Sequence, residues 1–136
     1  MAVVCVPQPV SFPVPTLYLN NTQILDVRPR VEFGIGALPM SVNLPFLELE
    51  RCSDEEAVQR GRVALNALGV DEGADPSRRD KDAVVVVCRR GNDSQRATLL
   101  LQRLALSGNL PPVKLCDLAG GLRAWAQKAD PEFPMY

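Results

Sequence analysis

Histidine is absent from all 136 residues. That absence removes every mechanism needing an imidazole: Ser-His-Asp and Cys-His catalysis, and histidine-ligated zinc or haem iron. Catalysis falls to Cys, Asp, Glu, Arg, Lys or the backbone. C-x-x-C pairs are missing too. Cys5, Cys52, Cys88 and Cys116 stand far apart, so neither a dithiol redox motif nor a zinc knuckle is expected, and no metal site is assigned. Four cysteines in this length are too few for a disulfide scaffold. The expectation is free thiols in a reducing compartment, the cytosol. No leader is visible: residues 1–15 carry no Lys or Arg, and Pro7, Pro9, Pro13 and Pro15 interrupt any apolar stretch. Apolar runs end at about six residues, too short to span a membrane. Basic excess is lacking, with a net charge of −1, so nucleic acid is not an expected partner. Neither G-x-x-x-x-G-K-[ST] nor G-x-G-x-x-G occurs, so no nucleotide cofactor is expected in these residues. No internal repeat is present.

What remains is an ordinary globular composition, 46% apolar and 23% charged, in a length that suits one domain. Residues 1–15 read as a Pro-rich linker or edge segment, and residues 16–136 as the domain. Ile24-Leu25-Asp26-Val27 is a β-type run, and Val31 to Ile35 a brief helix between Pro29 and Gly36. Ser41 to Leu44 reads as a strand. Ser53 and Glu56 form a capping-box pattern, and Ala57, Val58, Gly61, Ala64, Leu65 and Leu68 follow at helical spacing. Residues 69–82 are a charged loop. Ala83 to Val87 is a β-branched run without alternation, as in a central parallel strand buried on both faces. A helix over 94–106, a strand over 113–118, a Gly120-Gly121 turn and a last helix carrying Leu122, Trp125, Ala126 and Ala129 complete the chain. Strand and helix alternate. The fold class is therefore α/β, a mostly parallel central sheet with helices on both faces.

Open α/β sheets bind ligands beyond the carboxyl ends of their strands. Directly after the most apolar strand comes Cys88-Arg89-Arg90-Gly91-Asn92-Asp93-Ser94, and then a helix. A thiol there faces a helix N-terminus with unpaired N–H groups and partial positive charge. Gly91 allows the tight path of an anion-binding nest. Arg89, Arg90 and Arg96 add positive charge nearby. All of these favour a thiolate, which needs no histidine. The alternative, a structural cysteine at a strand end, stays open at this point.

The pattern C-x-x-G-x-x-S-x-x-A at Cys88, Gly91, Ser94 and Ala97 resembles the active-site loop of rhodanese-like sulfurtransferases. Asp26-Val27-Arg28, Glu32-Phe33, Gly36, Leu38-Pro39 and Asn43-Leu44-Pro45 resemble that family's first signature. Leu118-Ala119-Gly120-Gly121 and Trp125 resemble its last. One departure is Ala37, where the family usually has histidine. The loop from Cys88 to Gln95 and the ending from Asp130 to Tyr136 resemble more closely the C-terminal domains of two-domain adenylyltransferase and sulfurtransferase enzymes serving molybdopterin synthase. The resemblance implies a single rhodanese-like domain whose Cys88 carries a persulfide. Arg89, Arg90, Gly91, Asn92, Asp93 and Ser94 would surround the sulfur, and Asp26 and Arg28 would brace the loop. The implied donor is a protein such as a cysteine desulfurase. The implied acceptor is the adenylated C-terminus of a ubiquitin-like sulfur carrier, for molybdopterin synthesis and tRNA thiolation. An adenylyltransferase domain would precede these residues and hold the ATP and zinc, with no cofactor in this domain.

Three alternatives compete. A phosphatase needs C-x5-R, and the sixth residue after Cys88 is Ser94. A non-catalytic docking module would not need the loop cysteine. A thiosulfate sulfurtransferase differs only in donor, and Asp93 at the pocket mouth is expected to disfavour the thiosulfate dianion.

Overall fold

Val84 to Val87 carry no polar alternation, and all four are buried, so strand β3 (Val84–Val87) lies in the middle of a sheet. The computed structural model describes residues 23–70, 84–111, 113–118, 120–128 and 132–134. The linker over 1–15 with Cys5, the charged loop beyond Val70, Ala119, Ala129 and the ends of the Asp130–Tyr136 motif lie outside the described residues.

In chain order the elements are β1 (Gln23–Asp26), α1 (Arg30–Ile35), β2 (Val42–Asn43), α2 (Phe46–Arg51), α3 (Asp54–Ala67), β3, α4 (Asn92–Leu106), β4 (Leu115–Asp117) and α5 (Gly121–Lys128). The strands run in the order β2-β1-β3-β4, every pair parallel. Register sets Ile24 beside Val85 and Val85 beside Cys116. Side chains alternate across a strand, so these three share one face. There they meet Leu118, Leu122, Trp125 and Ala126, with Leu38 and Phe133 closing the cluster. Leu25, Val84, Val86 and Leu115 face the other way, against Phe46 and Leu49 of α2, Ala64 and Leu65 of α3, and Ala97 and Leu101 of α4. The sheet is covered by helices on both faces, and its strands are parallel.

Differences from the sequence reading are local. Helix α2 was not foreseen. It is six residues long, follows Pro45 as N-cap and buries only Phe46 and Leu49, too little for a periodic signal. Ser53 does cap α3, accepting from the Glu56 N–H at 3.2 Å. Helix α4 begins at Asn92 rather than Ser94, because Gly91 takes the left-handed conformation (φ 99°) and serves as N-cap. Asp93 therefore lies in the first helical turn and is not the cap. On the surface, Glu48 of α2 accepts from Arg30 of α1 and Arg60 of α3, each at 2.8 Å.

Candidate active site

The parallel order brings the carboxyl ends of β1, β3 and β4 side by side, and Cys88 is the residue after β3. Its thiol is buried, 4% exposed. The Gly91 N–H points back at Sγ at 2.9 Å, and the thiol donates to Ser94 Oγ at 3.3 Å. Both groups belong to the start of α4, whose free N–H groups carry partial positive charge. Above the thiol is a cavity of about 390 Å³ lined by Arg28, Pro29, Glu32, Leu47, Cys88, Arg89, Arg90, Asn92 and Asp93. Three arginines and two acidic residues are thus among the residues that line the cavity, and the guanidinium of Arg28 is engaged by Asp26. A larger groove of about 580 Å³ runs along β2 and α3 and holds no cysteine.

Of the loop residues singled out by sequence, Arg89, Arg90, Asn92 and Asp93 line the cavity, while Gly91 and Ser94 contact the sulfur from behind. Arg96 does not join them. Its guanidinium pairs with Glu50, stands over the Phe46 ring and reaches Asp93 at 3.8 Å, so its charge is engaged away from Cys88.

Asp26 and Arg28 form a buried pair below the loop, each side chain 1% exposed. Arg28 Nε donates to both Asp26 oxygens at 2.9 and 3.1 Å, and Nη2 to Oδ2 at 2.6 Å. The same Nη2 reaches the Gly36 carbonyl at 2.7 Å, tying β1 to the turn after α1. Backing the loop from the far side is the glycine pair. The Leu122 and Arg123 N–H groups donate to the Cys88 and Arg89 carbonyls at 2.8 and 2.9 Å. A Cβ on Gly121 would stand 2.6 Å from those backbone atoms, so glycine is required there by close approach.

Asp117 was missed by sequence reasoning. It ends β4, and Ser94 Oγ donates to its Oδ1. Burial pushes the Asp117 carboxyl up from the usual carboxylate range, while hydrogen bonds from Ser94 and Gln95 pull it down. An acidic residue closing a short strand gives no signal in sequence.

The left-handed backbone at Gly91 makes a testable feature. Its φ of 99° disfavours any L side chain, and an added Cβ would press on the Gly120 nitrogen at 3.1 Å. Gly91→Ala is expected to slow iodoacetamide alkylation of Cys88 at neutral pH by about tenfold, by turning the N–H from the sulfur. Unchanged kinetics in a folded variant would rule out this N–H as a thiolate support.

The rhodanese-like domain matches residues 17–128. The chain belongs to the rhodanese-like domain family. It is 40% identical over 116 residues to the mouse (Mus musculus) adenylyltransferase and sulfurtransferase MOCS3, covering 83% of this chain and 24% of that protein. To the Zea mays adenylyltransferase and sulfurtransferase MOCS3-2 it is 39% identical over 113 residues, covering 83% and 19%. The chain thus spans about a quarter or less of the length of these relatives. Among solved structures, the human single-domain sulfurtransferase TSTD1 superposes with a TM-score of 0.54 at 27% identity, covering 82% of this chain and 86% of that one. No helix among the described residues is long and apolar enough to cross a membrane.

Proposed function

We propose that this rhodanese-like domain is a sulfurtransferase that carries sulfur on Cys88 as a persulfide. The observation that carries the reading is the sulfur's setting: Cys88 Sγ meets the Gly91 N–H at 2.9 Å and opens onto a cavity lined by Arg28, Arg89 and Arg90. The N–H and the helix start favour the thiolate, and the arginines favour an anionic persulfide. The donor is a protein persulfide, such as that of a cysteine desulfurase. The acceptor is the adenylated C-terminus of a ubiquitin-like carrier, and the place of action is the cytosol. Similarity to the adenylyltransferase and sulfurtransferase relatives supports this reading. In it an adenylyltransferase domain of the same protein holds the ATP and zinc, and this domain holds no cofactor. The thiolated carrier then serves molybdopterin synthesis and tRNA thiolation. Intact-mass spectrometry after incubation with a persulfide donor tests the reading: a gain of about 32 Da on Cys88 supports it. No gain, with partner binding unchanged in Cys88→Ala, would leave a docking module instead.

Donor choice follows from Asp93. Its carboxylate lines the cavity beside Cys88, partly offset by Arg96 at 3.8 Å. A fixed negative charge about 5 Å from a dianion costs on the order of 1–3 kcal/mol per unit charge, less where water reaches it. Thiosulfate turnover is expected to be weak. Asp93→Arg should raise it by about tenfold or more, with a steeper salt dependence. If Asp93→Arg and Asp93→Asn both leave thiosulfate kinetics as they were, donor choice lies in protein docking alone.

A further inference from the structure

Cys88 attacks sulfur only after losing its proton, and the chain has no histidine to receive it. One path of hydrogen bonds among the described residues leads from Sγ to a carboxylate. The Cys88 thiol donates to Ser94 Oγ at 3.3 Å, and the Ser94 hydroxyl donates to Asp117 Oδ1. The three residues come from the end of β3, the first turn of α4 and the end of β4. The Ser94 side chain has one proton for two acceptors. With Asp117 ionised that proton points at the carboxylate, and the serine oxygen accepts from the thiol. If Asp117 holds a proton, the chain reverses: the carboxyl donates to Ser94, and Ser94 donates to a Cys88 thiolate.

The surroundings suit such an exchange. Burial raises the Asp117 carboxyl, which brings it nearer to a thiol. The side chains acting on that carboxyl are Ser94 and Gln95, both from α4, and no charged side chain of the described residues is among them. Its sheet neighbour β3 meets it in register at apolar Val86. The cavity over the sulfur is lined by Arg28, Arg89 and Arg90 and by the acidic Glu32 and Asp93.

We propose that Cys88 and Asp117 share one proton through the Ser94 hydroxyl, making Asp117 a positioning residue that sets how much thiolate the resting site holds. The inference rests on reading Cys88 as the nucleophile. The Cys88 S–H bond breaks as a new Ser94 O–H bond forms, and the original Ser94 proton passes to Asp117 Oδ1. The electron pair of the S–H bond stays on sulfur, and the reverse movement restores the thiol. No oxidant or reductant takes part. Groups coupled in this way titrate as a pair, with two macroscopic steps. Between those steps the thiolate fraction is set by the two tautomers and not by solvent pH.

The test is the pH profile of Cys88 alkylation by iodoacetamide, followed by intact mass on the 136-residue chain. The wild-type logarithmic rate is expected to rise in two steps with a plateau between them. Asp117→Asn keeps a partner for Ser94 but adds no charge and holds no exchangeable acid proton. It should give a single step and react about tenfold faster than wild type above the plateau's start. In a Ser94→Ala background that gain should vanish. Should Asp117→Asn fail to fold by thermal melting, Ser94→Ala alone decides, by removing the plateau. Three results overturn the proposal: a wild-type profile with no plateau, an Asp117→Asn profile that keeps the wild-type shape, or a gain that persists without Ser94. A profile as expected in a protein that never gains sulfur mass would instead overturn the sulfur-carrier reading and leave the shared proton standing.

Discussion

Cys88→Ser should reduce sulfur transfer to the uncatalysed level while leaving the fold intact. A serine hydroxyl fits the space of the thiol and still accepts from the Gly91 N–H. What it lacks is ionisation near neutral pH, and nothing in the site supplies a strong base. It also forms no persulfide, so the mass gain of about 32 Da should disappear with activity. The other cysteines should behave differently. Cys116→Ala empties a place in the core beside Ile24 and Trp125, costing about 1 kcal/mol but sparing transfer. Cys52 is half-buried and, among the described residues, donates to the Leu49 carbonyl, so Cys52→Ala should be close to neutral. Cys5→Ala should also retain activity. A folded Cys52 or Cys116 variant as inactive as Cys88→Ser would require a second, resolving thiol in the mechanism.

Arg28→Ala should be the most destabilising single change, with a loss of about 3–5 kcal/mol. Its guanidinium is 1% exposed and holds both oxygens of a carboxylate that is equally buried. Removing it leaves the buried Asp26 charge without its partner. It also frees the Gly36 carbonyl and takes away the ring contact with Phe133, 5.9 Å from the guanidinium carbon. Asp26→Asn should lose less, because an amide oxygen still accepts from Arg28 and the Arg28 N–H. Urea unfolding measures both. A loss below about 1 kcal/mol for Arg28→Ala would mean that the pair adds no net stability. Because Arg28 also lines the cavity over Cys88, persulfide loading of any folded fraction should fall as well.

Much of this architecture is legible locally. Four consecutive valines suit a strand buried on both sides, and the helix after Cys88 announces itself by Ala97, Leu101 and Leu104. A cysteine between such a strand and such a helix needs no tertiary information to attract notice. The helix start is less legible. Gly91 carries the cap through its left-handed backbone, so the helix takes in Asn92 and Asp93, which composition assigns to the loop. Arg96 shows the limit of counting charges along the chain. Three residues beyond Asp93 it reads as a neighbour of the sulfur, yet Glu50, distant in sequence, draws it away.

The sequence by itself determined the alternation of strand and helix, the buried central strand and the place of Cys88 at its end. Each of these depends on residues within a few positions of one another, where periodicity and backbone preference act directly. Only the tertiary structure decided what surrounds the sulfur. The strand order β2-β1-β3-β4 and its register set Asp117 beside Ser94, and Arg28 beneath the loop. The Gly121 backbone closes on Arg89, and Phe133 returns to seal the second core. These contacts join residues far apart in the chain, and their partners are chosen by sheet order and packing, which no local spacing encodes.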